Sequence, residues 1–171
     1  MLMRKNLSDK MKEEAVSLGL CAQWTADWDH ECSKDEMVLK FVNGIDFCIA
    51  RNWPSVEEMK VFFGDVMNKH DVYVDEKVIR KAPETMILNG ECEANVETEW
   101  MNTSEIYVRH TSMLHLKVRG LSRAFVNLHD AGKLYVECDE GSKCFVYQYG
   151  GEIVKKTGSV VIRDRHDFKF K

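Results

Sequence analysis

From Met86 onward, apolar residues recur every ten positions: Met86, Val96, Ile106, Leu116, Val126, Val136 and Val146. Two further columns keep the same register. One runs Ala94, Ser104, Leu114, Ala124, Leu134, Cys144, and the other runs Leu88, Thr98, Val108, Val118, Leu128, Cys138, Gln148. Within each repeat apolar and polar residues alternate, as in Leu114-His115-Leu116-Lys117-Val118 and Leu134-Tyr135-Val136-Glu137-Cys138. Such alternation marks a strand buried on one face. The segments Arg119 to Ser122, His129 to Gly132, Asp139 to Ser142 and Tyr149 to Glu152 separate the strands, and each holds Gly, Asp or Ser, which accept turn backbones. Because ten is even, every strand offers the same side to a common core.

A β-solenoid and an antiparallel meander or sandwich both satisfy this pattern. The short repeats and in-register, mid-sized aliphatics favour the solenoid. A two-strand coil stacks Lys117 on Glu137, Arg119 on Asp139 and Phe125 on Phe145. A three-strand coil stacks Arg109 on Asp139 and Lys117 on Tyr147. Both ladders are chemically sensible, so the coil length stays open. After Gly151 the register is lost, and Ile153-Val154 and Val160-Val161-Ile162 predict an irregular last coil or strand pair.

The first part of the chain changes period. Ser8 as N-cap, Met11, Ala15 and Leu18 on one face and Gly19 as stop predict a short helix. Leu20, Trp24 and Trp28 predict a second helical segment. Ser33 to Glu36 is a capping box that opens a helix ending near Asn52, and Ser55 to Glu58 is another, opening a helix to about Asn68. Val72-Tyr73-Val74 and Val78-Ile79 read as extended pieces. The expected fold is therefore α+β. An N-terminal helical cap over 1–70 is followed by a short β-solenoid of ten-residue repeats over 71–171, sharing a core with the cap. The alternative is an antiparallel β-meander or sandwich.

Apolar content of 44% and charged content of 30% suit a globular chain. No apolar stretch approaches the ~20 residues of a membrane helix, and the start carries no secretory pattern. A cytoplasmic location and no membrane partner are expected. The six cysteines form no CxxC pair, and without an export signal they read as free thiols. Net charge is −4, and neither half is basic, which makes nucleic acid an unlikely partner. Only the tail concentrates positive charge, in Lys155, Lys156, Arg163, Arg165, Lys169 and Lys171.

Candidate chemistry is sparse. Cys21, His30 and Cys32, near Asp27 and Asp29, are the one cluster of soft ligand types, without the doubled spacing of a structural zinc site. His110, His115 and His129 fall on the repeat without a positioned partner. Glu91, Glu93, Glu97 and Glu99 read as protection of an edge strand. No catalytic residue, cofactor or metal site is assigned. The outward aromatics Tyr107, Phe125, Tyr135, Phe145, Tyr147 and Tyr149 are the candidate interface, a surface that the helices, a second copy or a partner protein would cover.

Two stretches, Val42 to Ser55 and Ile106 to Ser112 continuing through the decads to Tyr147-Gln148-Tyr149-Gly150-Gly151, resemble a family of small uncharacterised proteins found in phages and mobile elements of gut bacteria. The resemblance runs from about Leu18 to the end. That family carries no established activity or site residues. A small acidic chain with a rigid aromatic β face suits a non-enzymatic interaction protein that binds a host protein, for example in a defence system, or associates with itself. The alternatives are a virion or structural protein, and a small solenoid enzyme or sugar-nucleotide-binding protein with a pocket joining His115 or His129 to a carboxylate.

Overall fold

The computed structural model describes residues 6–28 and 31–170. The chain forms two compact units. The first runs up to His70 and includes the residues from Lys169; the second is Asp71–Phe168.

The first unit is helical: α1 (Leu7–Ser17), α2 (Ala22–Ala26), α3 (Lys34–Asn43), α4 (Ile45–Arg51) and α5 (Val56–Phe63), then a 3-10 segment over Gly64–His70. Both predicted capping boxes form. The Ser33 side chain accepts from the Glu36 amide and the Glu36 carboxylate from the Ser33 amide, and Ser55 and Glu58 repeat the exchange. The single helix expected from Ser33 to Asn52 is interrupted at Gly44, where α3 ends and α4 begins. The first helix is capped by Asn6, whose Oδ1 accepts from the Asp9 amide at 2.8 Å, rather than by Ser8. Ser8 is buried inside α1 and accepts from Trp28 Nε1 at 3.0 Å. The apolar faces of α1, α3 and α5 place Met11, Met37, Phe41, Met59, Phe62 and Phe63 in the core of this unit, with the Phe41 and Phe63 rings 5.4 Å apart.

The second unit is a parallel β-solenoid. Its strands are β1 (Val72–Val74), β2 (Lys77–Lys81), β3 (Thr85–Asn89), β4 (Glu93–Glu97), β5 (Thr103–Val108), β6 (Met113–Val118), β7 (Arg123–Leu128), β8 (Lys133–Cys138), β9 (Lys143–Gln148), β10 (Glu152–Thr157) and β11 (Val160–Asp164). Odd strands make one sheet, in the order β1-β3-β5-β7-β9-β11. Even strands make the other, in the order β10-β8-β6-β4-β2. Each coil therefore holds two strands, and like positions recur roughly 20 residues apart. The register pairs Lys117 with Glu137 and Phe125 with Phe145, which decides for the two-strand ladder.

The three inward columns fill the space between the sheets. Met86, Ile106, Val126 and Val146 stack in the odd sheet; Val96, Leu116 and Val136 stack in the even sheet, all at most 2% exposed. Ala94, Ser104 and Ala124 are the small partners that let the sheets approach. Cys92, Cys138 and Cys144 are buried among these columns, and none of the six cysteines forms a disulfide. Burial pushes the Cys144 thiol far up, so it remains protonated.

The corners have a different logic. On one edge the chain turns through left-handed backbone at Gly90, His110 and Asp130, and on the other at Met101, Leu121 and Gly141. A parallel stack leaves corner amides without partners in their own coil, and side chains of a neighbouring coil supply them. Ser112 Oγ accepts from the Cys92 amide at 3.3 Å and donates to the Gly90 carbonyl at 3.0 Å. Ser122 Oγ accepts from the Asn102 amide at 3.1 Å and donates to the Glu99 carbonyl, and Ser142 Oγ accepts from the Ser122 amide at 3.2 Å. Asp75, Asp130 and Asp139 accept from the amides of Glu91, His110 and Gly120 at 2.8, 2.8 and 3.0 Å. At Gly151, with φ +71°, a Cβ would run into the Gly132 carbonyl of the coil below, so that corner requires glycine.

The glutamate run is not on an edge. β4 lies between β2 and β6, and its glutamates are neutralised in place: Glu93 pairs with Lys77 at 3.7 Å and Glu97 with Arg119 at 3.1 Å. Protection of the true edges comes from other residues. The core column Val96-Leu116-Val136 is bounded by Arg80 in β2 and Lys156 in β10, which occupy the same register position and are exposed. Arg80 is tied to Asp71 by two hydrogen bonds of 2.6 and 2.9 Å, and β10 carries a bulge between Ile153 and Lys155. Charges in core register and bulged strands prevent another strand from adding to a sheet.

Two outcomes follow from this construction. Ser122→Ala leaves a part-buried amide and carbonyl without their side-chain partner and should lower the unfolding free energy by about 1 kcal/mol, read by urea denaturation. Lys156→Ile should produce concentration-dependent self-association in sedimentation velocity, whereas Lys155→Ile, at the neighbouring outward position, should not.

Candidate functional site

On a two-sheet coil, outward positions of alternate decads face opposite ways, and this divides the six candidate aromatics. Phe125 and Phe145 stack on the outside of the odd sheet, ring centroids 5.2 Å apart and planes at 11°. Tyr107 and Tyr147 lie in the neighbouring column of that sheet, which runs Ile87, Tyr107, Asn127, Tyr147, Arg163. Tyr135 is on the even sheet, stacked on His115 at 4.5 Å. Tyr149 is at a corner, stacked on His129 at 4.5 Å and met edge-on by Phe168. One continuous aromatic face over all six is thus corrected by the topology: Tyr135 has no neighbour among the other five on its own sheet.

Exposure separates them further. Ile87 is fully buried, and Tyr107 and Asn127 are each 9% exposed. Glu105 Oε1 accepts from Tyr107 Oη at 3.0 Å and from Asn127 Nδ2 at 3.3 Å, locking this part of the odd sheet. Phe125, Phe145, Tyr147 and Tyr149 are half-buried, and the Arg163 guanidinium stands 5.6 Å over the Tyr147 ring.

The even sheet carries the open site. A groove of about 300 Å³ runs along its outer face from β2 to β10. Its floor is the outward column Ile79, Asn95, His115, Tyr135, Lys155. Ile79, on the edge strand β2 at one end of this column, is 88% exposed. One rail is the column Lys81, Glu97, Lys117, Glu137, whose charges alternate in sign from strand to strand. Opposite charges directly across a ladder attract, so the rail neutralises itself. His115 is held by the Tyr135 ring and by a 3.3 Å contact between its Nε2 and Met113 Sδ.

The other two histidines of the repeat, His110 and His129, are structural. His110 Nδ1 accepts from the Gly90 amide at 2.9 Å, and burial pushes its pKa down. His129 is 4% exposed and belongs to a buried polar column with Asn89 and Arg109, in which Arg109 Nη1 donates to Asn89 Oδ1 at 3.0 Å. Burial pushes His129 down to about 4, Asp130 opposes the shift, and Arg109 adds to it. A buried, neutral imidazole cannot serve as general base for a solvent-borne substrate. The column Asn89, Arg109, His129, Tyr149 was readable at twenty-residue spacing, but only once the coil length was known.

Asp29 and His30 of the Cys21–Cys32 cluster lie outside the described residues. Among the described residues, no three His, Cys, Asp or Glu side chains are grouped to hold a metal ion, and no helix is long and apolar enough to cross a membrane. No protein-family model matches the chain, and comparisons with curated proteins and with solved structures return no match.

The buried histidine makes a prediction. Above pH 6.5 His129 is neutral folded and unfolded. As pH falls toward about 4 the unfolded chain takes up the proton first, so stability falls through this window, by about 3 kcal/mol for this residue alone. His129→Phe retains a ring against Tyr149 and should flatten this part of the pH–stability curve, measured by denaturant unfolding from pH 7 to 4.

Proposed function

We propose that this chain is a non-enzymatic protein-interaction module whose docking surface is the groove on the even sheet. The observation that carries this is the groove floor: an 88% exposed Ile79 in line with Asn95 and the His115–Tyr135 stack. An apolar residue, an amide and an amphipathic aromatic pair suit a polypeptide segment, in which apolar and hydrogen-bonding groups alternate. The rail alternates in sign, and with Arg80 and Lys155 the lining carries four cations against two carboxylates, which suits an acidic polypeptide segment; the chain's net charge of −4 argues against nucleic acid. The rigid stack supplies a preformed surface, so little ordering is needed on binding. The family resemblance directs the partner search to a protein of the host cell, in its cytoplasm, as expected of a phage or mobile-element product.

One observation favours a second reading, a small solenoid enzyme: His115 shares its groove with Glu97 and Glu137. That reading requires turnover that disappears in His115→Gln, whereas the interaction reading requires only that binding weaken.

The test is capture from the native host cell with the tagged chain, followed by calorimetric titration of the purified partner. Ile79→Asp and Tyr135→Ser should each weaken binding at least about tenfold, the size expected of residues at the centre of an interface. Phe145→Ser, on the opposite sheet, should leave it unchanged. Loss with Phe145→Ser and not with the other two would place the interface on the odd sheet.

A further inference from the structure

The helical unit holds a second cavity, of about 440 Å³, which plays no part in the solenoid groove. Its walls are aromatic. Trp24, Trp28 and Trp53 line it, together with Phe41 and Phe47, so three of the four tryptophans in the chain converge here. A volume of a few hundred Å³ with mostly apolar walls and a few polar groups is the usual form of a small-molecule site. Trp28 and Trp53 form the inner wall, each under 9% exposed, and their indole N–H groups are already used: Trp28 donates to Ser8 and Trp53 to Glu14 Oε2 at 3.1 Å. The interior therefore offers ring faces rather than hydrogen bonds. Trp24 is 39% exposed.

The charged groups at this cavity decide the sign of its ligand. Two cations, Lys40 and Arg51, and one carboxylate, Asp46, line it. The Lys40 ammonium lies 5.3 Å over the Trp28 ring and donates to the Asp27 carbonyl at 3.0 Å. The Arg51 guanidinium lies 6.0 Å over the Phe47 ring and, among the described residues, makes no hydrogen bond or ion pair. Aromatic faces can bind an external cation, but here the protein's own cations already occupy two of them, and a third positive charge would be repelled. A carboxylate is complementary to Arg51.

We infer that this cavity binds a small amphipathic carboxylic acid, its flat apolar body between the tryptophans and its carboxylate on Arg51. This site is independent of the docking groove, and neither reading requires the other.

The test uses the four indole N–H resonances of the 15N-labelled full chain. Trp100 lies on a turn of the solenoid unit, 70% exposed, and serves as internal reference. The chain is titrated with indole-3-acetate, indole and tryptamine, which share one body and differ in charge. Indole-3-acetate should shift the resonances of Trp24, Trp28 and Trp53 saturably and leave Trp100 in place. It should bind about threefold tighter than indole, the size of an exposed ion pair, and tryptamine should bind most weakly. Arg51→Gln, at an exposed position, should equalise the acid and the neutral compound, and Trp24→Ala should weaken all three. Absence of saturable shifts overturns the site. Tryptamine binding as tightly as the acid, or an acid preference that survives in Arg51→Gln, overturns the assigned ligand class.

Discussion

Every strand of the solenoid hydrogen-bonds to the strand one coil away rather than to its neighbour in sequence, and this parallel stacking constrains everything else. A side chain must be compatible with the residue one coil above and one below. The core columns therefore repeat one class of residue, aliphatic on aliphatic, from Met86 to Val146 and from Val96 to Val136. Exposed columns obey the same rule by alternating sign or by stacking rings. The corners obey it through serine and aspartate side chains that satisfy the amides of an adjacent coil. The even sheet ends where the rule is broken, at Arg80 and Lys156, where a cation takes a core position.

The same geometry assigns the outer surfaces. The odd sheet ties Tyr107 and Asn127 to Glu105 and leaves them almost covered. The even sheet leaves an isoleucine, an amide and a histidine–tyrosine stack in an open groove beside a rail of alternating charges. Stability and recognition are thus carried by different residues of the same strands. Leu116 and Val136 hold the core, while His115 and Tyr135 beside them face the groove, so the groove can change without loss of the fold.

The ten-residue period made the inside and outside of each strand legible, because side-chain direction has a period of two. It also made the final irregular coil legible at Gly151. It did not reveal coil length, since Lys117 finds a sensible partner either twenty or thirty residues away. Without coil length the outward residues cannot be divided between two opposite sheets, and alternation alone groups Tyr135 with Phe145 and Tyr147. The roles of Ser112, Ser122 and Ser142 were hidden for another reason. Serine in a turn reads as a local turn former, whereas here its hydroxyl acts across coils. In the helical unit the capping boxes at Ser33 and Ser55 were legible because capping is local. The break at Gly44 and the clustering of Trp24, Trp28 and Trp53 around one cavity depend on tertiary packing.

The parallel two-strand coil is tested most directly by nuclear Overhauser contacts between aromatic side chains. Parallel stacking predicts contacts from Phe125 to Phe145 and from His115 to Tyr135, whose ring centroids are 5.2 and 4.5 Å apart, and none from Phe125 to Tyr135 across the two sheets. Contacts between Phe125 and Tyr135, with none between Phe125 and Phe145, would mean that consecutive strands pair with each other and would contradict the solenoid.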